Sequence, residues 1–286
     1  MMKPVLVGVD GSRQSLAAVD WGARAALRRE LPLRLVHAWE GVPGRDATPG
    51  GAVPQYWARR VLRGAMDRVS ERYPRLYISA EQVSRPPRQA LLSEAEGAEL
   101  LVIGNEGLSG VGGLFSGTVA LSVVGRTPVP VVLVRAGFTA THEHERDASG
   151  AASERIPYRN VVVAVELGRP CDEVLSFAFE EAARRNTSLR AVHVRHLPHT
   201  AGPGDRTRPM LEDVLLPWQD KYPTVPVAAS TVHARAPHEI VHAAAGAGLL
   251  VVGRRQRHSG PGSQTGAVTH AVIHHVACPV AFVPHR

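Results

Sequence analysis

Short apolar runs alternate with longer amphipathic segments along the whole chain. The runs VLVGV, beginning at Val5, and LLVIG, beginning at Leu100, are continuously apolar. Such runs are typical of strands in a parallel sheet that is covered on both faces. The segments between the runs have the length and amphipathic character of helices. The repeated order of strand and helix therefore predicts an open, doubly wound α/β architecture.

In the first half of the chain the pattern predicts five strands and four helices. The predicted strands cover approximately residues 4–9, 33–39, 76–84, 100–104 and 129–134. The predicted helices cover approximately residues 12–30, 54–73, 87–97 and 117–126. Ser12 is expected to be the N-cap of the first helix, because its hydroxyl can accept a hydrogen bond from an unpaired backbone N–H there. Trp21 and Trp39 are expected to pack in the core or at its edge.

The second half of the chain repeats the first. The matching segments are VLVGVDGS with VVVAVELG, LRLVHAW with LRAVHVR, LLVIG with LLVVG, and TPVPVVLVR with ACPVAFVPH. Residues 136–155 are small and polar without an apolar period, which is typical of a linker. We predict a first domain over residues 1–136, a linker over 137–156 and a second domain over 157–286. The second copy is about seven residues shorter between its second and fourth strands, and we expect that deletion in a loop.

Composition narrows the classes of function. The 286 residues, 44% of them hydrophobic, are enough for two domains with a core each. The net charge of +7 permits an acidic partner, but the arginines are scattered without a block of like charge, so nucleic acid is not an expected partner. Cys171 and Cys278 form no CxxC motif and no disulfide framework. No segment has the pattern of a signal peptide or the length of a membrane span, so we expect a cytoplasmic location and no membrane.

A spaced glycine motif is the strongest candidate for chemistry. Gly104, Gly107 and Gly117–Thr118 have the spacing G-x2-G-x9-G-[ST], and Asp10 follows the first strand. In an open α/β sheet, ligands bind beyond the carboxyl ends of the strands, where the strand order reverses. Bare glycines let a sugar or phosphate approach the backbone, and the unpaired N–H groups that begin a helix bind anions. Asp10 would then accept a ribose hydroxyl or help to hold a hydrated Mg²⁺.

These segments together resemble a tandem universal stress protein over both halves, almost end to end. The resemblance is carried by VGVDGS, VHAW, the spaced glycine motif and the closing strand PVPVVLV. Members of the ATP-binding class of that family use this glycine spacing for ATP. The resemblance implies a five-stranded parallel sheet in each domain, with strand order 3-2-1-4-5. Because members dimerise through the last strand, it also implies that the two halves pair as an intramolecular pseudo-dimer, and a homodimer of the whole chain stays open.

The resemblance also implies an ATP site in the first domain. The adenine would lie near the backbone of Ala38 and the ribose near Asp10 and Gly104. The site implied in full, for ATP with Mg²⁺, consists of Gly8, Asp10, Ala38, Gly104, Gly107, Gly117, Thr118 and Val119. No catalytic residue and no metal-ligating side chain is predicted.

The second copy departs from this pattern. Glu166 replaces the aspartate, Gln256 stands where the second glycine is expected, and Ala267 follows Gly266 in place of a hydroxyl residue. We therefore predict a degenerate, mostly architectural second domain. The arginines between residues 254 and 257 leave open a weak anion site there.

Two histidine patterns are not expected to bind metal. HEIVH, from His238 to His242, fits a zinc-protease pattern, but no Asp or Glu follows Glu239 as a third ligand. His270 and His274 lie one turn apart and are expected on a solvated or interface face of a helix.

The function predicted from the sequence is an ATP-binding, nucleotide-responsive regulatory or stress-protective module. No general base or arginine finger can be assigned, so any ATP hydrolysis is expected to be slow. Two alternatives stay open: a nucleotide-free dimeric adaptor, and an adenylate-using enzyme of related fold.

Overall fold

A computed structural model of the chain describes residues 2–39, 52–106, 116–195, 206–256 and 266–285; the side chains of residues 52–55 and 116–118 lie outside the description. The chain divides into two compact units, Met1–Thr139 and Ala140–Arg286. Each unit contains one copy of the sequence repeat.

The first unit alternates strands and helices in the order predicted. Its strands are β1 (Val5–Gly8), β2 (Leu33–Trp39), β3 (Ile78–Ser84), β4 (Leu100–Asn105) and β5 (Val131–Arg135). Its helices are α1 (Arg13–Arg29), α2 (Ala52–Arg72), α3 (Pro87–Ala95) and α4 (Ser116–Arg126). Ser12 caps α1 as predicted, because its Oγ accepts a hydrogen bond from the backbone N–H of Ser15 at 3.2 Å.

The five strands of the first unit form a parallel sheet in the order β3-β2-β1-β4-β5. β1 pairs with β2 on one side and with β4 on the other, so the strand order reverses between β1 and β4. The helix α1 packs against α2, and α3 packs against α4. The predicted fold class and strand order are confirmed.

The central strands are buried on both faces, as their apolar runs predict. Val5, Leu6 and Val7 of β1 have no solvent exposure, and the facing residues of β4 are buried as completely. Trp21 of α1 is also fully buried, which confirms its expected place in the core. A Cβ atom on Gly22 would lie 2.6 Å from Val7 Cγ2, so glycine at this position lets α1 lie close to β1.

The second unit has the same topology. Its strands are β6 (Val161–Ala164), β7 (Leu189–Arg195), β8 (Val227–His233), β9 (Leu249–Arg255) and β10 (Val280–His285). Its helices are α5 (Asp172–Arg185), α6 (Thr207–Lys221), α7 (Ala236–Ala243) and α8 (Ala267–His275). The strand order is β8-β7-β6-β9-β10, which corresponds to that of the first unit.

The deletion in the second copy falls mainly in a helix and not in a loop, so the expectation from the sequence is wrong. The helix α2 has 21 residues, whereas its counterpart α6 has 15. The connections from these helices to the next strand have the same length in both units. The residues missing from the second copy are therefore mostly helical turns and not connecting chain.

The segment predicted as a linker contains local structure. Residues Ala140–Glu143 form a 3₁₀ helix, and isolated antiparallel bridges join His144 to Tyr158 and Arg146 to Ala152. The Glu143 side chain is fully buried beside Arg185 of α5, which also pairs with Glu181. This group of three buried charged side chains is called the α5 ion cluster below.

Candidate functional site

The carboxyl edge of β1 and β4 brings together polar residues from three segments of the first unit. Asp10 lies just after β1, and Glu106 lies just after β4. Gln14, in the first turn of α1, donates from Nε2 to Glu106 Oε1 at 2.7 Å. The edge is therefore acidic, and α1 is tied to the end of β4 by a side-chain hydrogen bond.

The carboxylate of Asp10 is held by the residue that caps α1. Ser12 donates to Asp10 Oδ1 from its backbone N–H at 2.9 Å and from Oγ at 2.5 Å. Partial burial raises the pKa of Asp10, but these hydrogen bonds outweigh the burial, and the pKa lies below its ordinary value. Asp10 is therefore an ionised carboxylate with a fixed orientation at neutral pH.

A tight turn directs the chain from β1 into α1. Gly11 has a φ of +85°, a left-handed conformation that favours glycine. At the end of β1, a Cβ atom on Gly8 would approach the Leu91 side chain of α3 to 2.9 Å. The predicted site residue Gly8 thus lies against the end of the Leu91 side chain on the α3 side of the sheet.

Gly104 has a packing role. A Cβ atom at this position would lie 2.5 Å from the backbone carbonyl carbon of Gln14 and 2.7 Å from the backbone nitrogen of Ser15. Real Cβ atoms essentially never come so close to other atoms, and the neighbours here are helix backbone. The first glycine of the motif is therefore required for α1 to pack on β4, whatever ligand the edge binds.

The backbone of Ala38 points past the end of β1. Backbone groups of successive strand residues point alternately to the two neighbouring strands. The Val36 carbonyl accepts a hydrogen bond from the Val9 N–H at 2.8 Å, so the N–H and C=O of Ala38, two residues on, point to the same side. β1 ends at Gly8, and these groups are therefore directed to the space beyond that strand.

The remaining predicted residues belong to the glycine motif. Gly107 lies outside the described residues. The helix α4 begins at Ser116, so Gly117 and Thr118 lie in its first turn, with the Thr118 side chain outside the description. Val119 follows them and is half-buried. The backbone N–H groups of this first turn have no partner within the helix itself.

The structure brings Gly8, Asp10 and Gly104 to one edge of adjacent strands, with Ala38 on the next strand of the same edge. Sequence reasoning missed Gln14, Glu106 and His37. The ring Nδ1 of His37 donates to the Val9 carbonyl at 2.7 Å, and its counterpart His193 donates to the Val165 carbonyl at 2.9 Å. The VHAW and VHVR segments could have indicated this role, because the histidine occupies the same place in both copies.

The same edge of the second unit carries a cavity of about 920 Å³. The connection from β6 to α5 is three residues longer than that from β1 to α1, and Glu166, Arg169, Pro170 and Cys171 of this connection line the cavity. Burial, followed by the charges of Asp172 and Glu173, raises the pKa of Cys171 to about 11, so its thiol is protonated at neutral pH.

The two histidine patterns form no metal centre in the described residues. No group of three or more His, Cys, Asp or Glu side chains there could hold a metal ion. His238 is an exposed residue at the start of α7, 3.4 Å from Glu239 of its own turn. The rings of His270 and His274 stack along α8 with centroids 6.4 Å apart. Within the same described part of the chain, none of the helices is both long and apolar enough to cross a membrane.

The fold and the edge at β1 and β4 define a doubly wound α/β protein with a candidate ligand site at the point where the strand order reverses. The chain belongs to the universal stress protein family, whose family model matches residues 1–135 and 157–284. A universal stress protein of Mycobacterium tuberculosis is 31% identical over 296 residues, covering 96% of this chain and 95% of that protein.

Solved structures of the family are also similar. The crystal structure of a universal stress protein from Archaeoglobus fulgidus has a TM-score of 0.70 at 16% identity and covers 99% of this chain and 96% of that chain. This likeness extends the shared fold over both units. The crystal structure of a universal stress protein in complex with cAMP is 30% identical, with a TM-score of 0.41, and covers 47% of this chain and 98% of that chain.

Proposed function

We propose that the first unit binds ATP with Mg²⁺ and that the protein is a nucleotide-responsive regulatory or stress-protective module. The observation that carries the proposal is the edge of β1, β2 and β4. Three features belong to neighbouring segments of this edge: the oriented carboxylate of Asp10, the backbone of Ala38 directed past β1, and the first turn of α4. The membership of the universal stress protein family is consistent with this role.

The nucleoside would be held by backbone and carboxylate groups. The N–H and C=O of Ala38 would contact the adenine edge, since both are directed beyond the end of β1. Both hydrogen bonds from Ser12 use Oδ1 of Asp10. Oδ2 is therefore the oxygen expected to accept a ribose hydroxyl, in an orientation that is already set before the ligand arrives.

The phosphates would be held by backbone N–H groups and by the metal ion. The first turn of α4, with Gly117 and Thr118, supplies N–H donors and the positive end of a helix dipole. Asp10 and Glu106 would repel a bare triphosphate. Mg²⁺, which prefers oxygen ligands and keeps several waters, would offset that repulsion.

A specific observation favours a second candidate, the nucleotide-free adaptor. Gly104 is explained by its close packing against the backbone of α1. Its presence therefore does not require a nucleotide. The two candidates differ in whether Gly107 and Gly117, which this packing does not involve, serve a ligand.

Calorimetry of the full chain with ATP and Mg²⁺ tests the proposal. We expect one site in the unchanged protein and loss of that site in Gly117→Asp, because the new carboxylate would stand where the phosphates bind. Aspartate is favourable in the first turn of a helix, so α4 should still form. The matched control is Gly64→Asp, on the exposed face of α2, where a Cβ atom meets nothing within 4 Å. This variant should bind ATP as the unchanged chain does.

The other outcomes of this titration decide between the candidates. Absence of binding in the unchanged chain would support the nucleotide-free adaptor. A site that survives in Gly117→Asp would place the nucleotide elsewhere. Hydrolysis at about 1–100 s⁻¹, the ordinary kinase range, would contradict a regulatory module. This titration does not test four other predictions from the sequence. They are the domain boundaries, the cytoplasmic location, the pseudo-dimer and a homodimer.

A further inference from the structure

The cavity of the second unit has a positively charged wall. Four arginines line it: Arg169, Arg235, Arg254 and Arg255. They come from three segments of the fold, namely the connection after β6, the residue before α7 and the end of β9. Among the described residues that line the cavity, Glu166 is the single carboxylate. The wall therefore has a surplus of positive charge.

The one carboxylate lies on one side of this wall. Glu166 Oε1 is 3.3 Å from Arg169 Nε and 3.9 Å from Arg255 Nη2. All three side chains are substantially exposed, so these pairs are weak and leave the guanidinium groups able to change partners. An incoming anion could compete with Glu166 for them.

Arg254 adds a charge that is largely removed from water. Its residue is only 5% exposed, and burial lowers its pKa to about 10. It therefore remains protonated at neutral pH. A guanidinium in such surroundings attracts an anion more strongly than an exposed one, because water screens the attraction less.

The rest of the cavity lining is largely apolar, although His193, His238, His285 and Thr269 also contribute to it. Its apolar residues include Val165, Val174, Val192, Val194, Ile240 and Val252. A volume of about 920 Å³ lies within the range of pockets for ordinary small-molecule ligands. An inorganic anion alone would leave most of this apolar surface uncovered.

We propose that the second unit binds an organic anion that joins a phosphate, sulfonate or carboxylate head to an apolar body. The head pairs with the arginine wall, and the body covers the valine side chains. This site differs chemically from the one proposed for the first unit. That edge carries Asp10 and Glu106 and relies on bare backbone, whereas this edge relies on guanidinium groups that can bind an anionic head through two hydrogen bonds.

The test is a fluorescence titration of the full chain with 1-anilinonaphthalene-8-sulfonate, which joins a sulfonate to an apolar aromatic body. The variant is the double substitution Arg235→Gln and Arg255→Gln, chosen because both residues are exposed and should not be needed for folding. We expect the affinity for the probe to fall at least tenfold. Arg190→Gln, an exposed arginine of β7 that does not line the cavity, should leave it unchanged.

Competition with three compounds checks both parts of the ligand. We expect octyl phosphate to displace the probe, and pyrophosphate and octanol each to do so only at much higher concentration. Displacement by pyrophosphate as readily as by octyl phosphate would overturn the role of the apolar body. Equal affinity in the double variant and the unchanged chain would overturn the arginine wall as the binding site.

Two further variants test whether the probe binds in the second unit and whether charge attracts it. Gly117→Asp lies in the first unit and should leave probe binding unchanged; loss of the probe there would assign it to the first unit and contradict the proposal. Arg235→Lys with Arg255→Lys keeps the charge and should recover part of the lost affinity. If the lysine variant binds no better than the glutamine variant, charge is not what attracts the ligand, and the proposal is wrong.

Discussion

At the scale of single residues, Ser12 links the architecture of the first unit to its candidate site. Its hydroxyl accepts from Ser15 N to begin α1 and donates to Asp10 Oδ1. The same side chain thus fixes a helix and orients a carboxylate. A sequence can indicate the helix cap from its position, but the hydrogen bond to Asp10 depends on the turn at Gly11, which only the folded structure shows.

Ser12→Ala should therefore have two effects. Loss of the cap should lower the free energy of unfolding by about 0.5–2 kcal/mol, measured in urea. Loss of the hydroxyl hydrogen bond should raise the pKa of Asp10, measured by NMR of its carboxyl carbon. Ser12→Thr keeps a hydroxyl and should retain most of both properties. An unchanged pKa in Ser12→Ala would show that the hydroxyl does not hold the carboxylate.

The low pKa of Asp10 also gives a direction to the pH dependence of stability. Because the pKa is lower in the folded chain than in the unfolded chain, the ionised carboxylate stabilises the fold. That contribution is complete above the ordinary value of about 3.9 and is lost as the pH falls through the folded value. Asp10→Asn removes this titrating group. The urea midpoint of the variant should therefore fall less than that of the unchanged chain when the pH is lowered from neutral to acid. An Asp10→Asn variant whose acid dependence matches that of the unchanged chain would contradict the assignment.

Gly104 and Gly64 should respond in opposite ways to the same substitution. In Gly104→Ala the new methyl group would meet the backbone of α1 at 2.5 Å, and we expect a loss of about 1–3 kcal/mol of unfolding free energy. In Gly64→Ala the methyl group meets nothing within 4 Å, and better helix propensity should add about 0.5–1 kcal/mol. Equal effects in the two variants, measured in urea, would contradict the packing role of Gly104.

At the scale of elements, the sequence predicted most of the fold, and it did so for physical reasons. The continuously apolar runs identified β1 and β4, because strands buried on both faces cannot alternate with polar residues. The apolar period does not show where a helix ends. The sequence therefore suggested a deletion in a loop, whereas the structure shows that the helix α6 is shorter than α2. The cavity was missed because residues from several separate segments line it, and only the fold brings those segments together.

Substitution of the neighbouring residues Arg185 and Arg184 tests how much the α5 ion cluster contributes to the free energy of unfolding. Arg185 and its partners Glu181 and Glu143 are at most 1% exposed in their side chains. Arg185→Met removes the cation between two buried carboxylates and should lower the free energy of unfolding by about 3–5 kcal/mol. Arg184→Met removes a pair with Glu180 that is about one-third exposed, and its effect should stay below about 1 kcal/mol.

Urea unfolding followed by circular dichroism measures both variants. Similar losses in the two would mean that the buried cluster adds no more than a surface pair does. The larger loss in Arg185→Met would show that the buried cluster as a whole, within α5 and toward Glu143, contributes more than the surface pair.

At the scale of the whole molecule, two copies of one fold carry different residues at the same edge. The backbone ladder is common to both, and His37 and His193 make equivalent hydrogen bonds. The side chains at the edge are acidic in the first unit and mainly basic in the second. The repeat in the sequence predicted the common part, whereas the chemistry of each edge had to be worked out separately.

ATP should therefore protect one copy and not the other. With ATP and Mg²⁺ at about 100 times the dissociation constant, the first unit should gain about 2.7 kcal/mol of stability. Hydrogen exchange read by mass spectrometry should slow in peptides from β1, β2 and β4 and remain unchanged in peptides from β6, β7 and β9. Slower exchange confined to the second unit would reverse the assignment of the nucleotide site.

The contact between Gly104 and the backbone of α1 has a consequence for how descendants of such a chain can diverge. Selection against larger residues acts at this position through the stability of the domain, independently of any ligand. At the equivalent Gly253 a Cβ atom would lie 2.8 Å from His285 Nε2, the end of a side chain and not backbone, so the restriction there is weaker. A copy that abandoned nucleotides would thus keep its first motif glycine and lose the others. Family surveys that infer nucleotide binding from this glycine would count such copies as binders, and Gly107 and Gly117 are the positions that should separate the two groups.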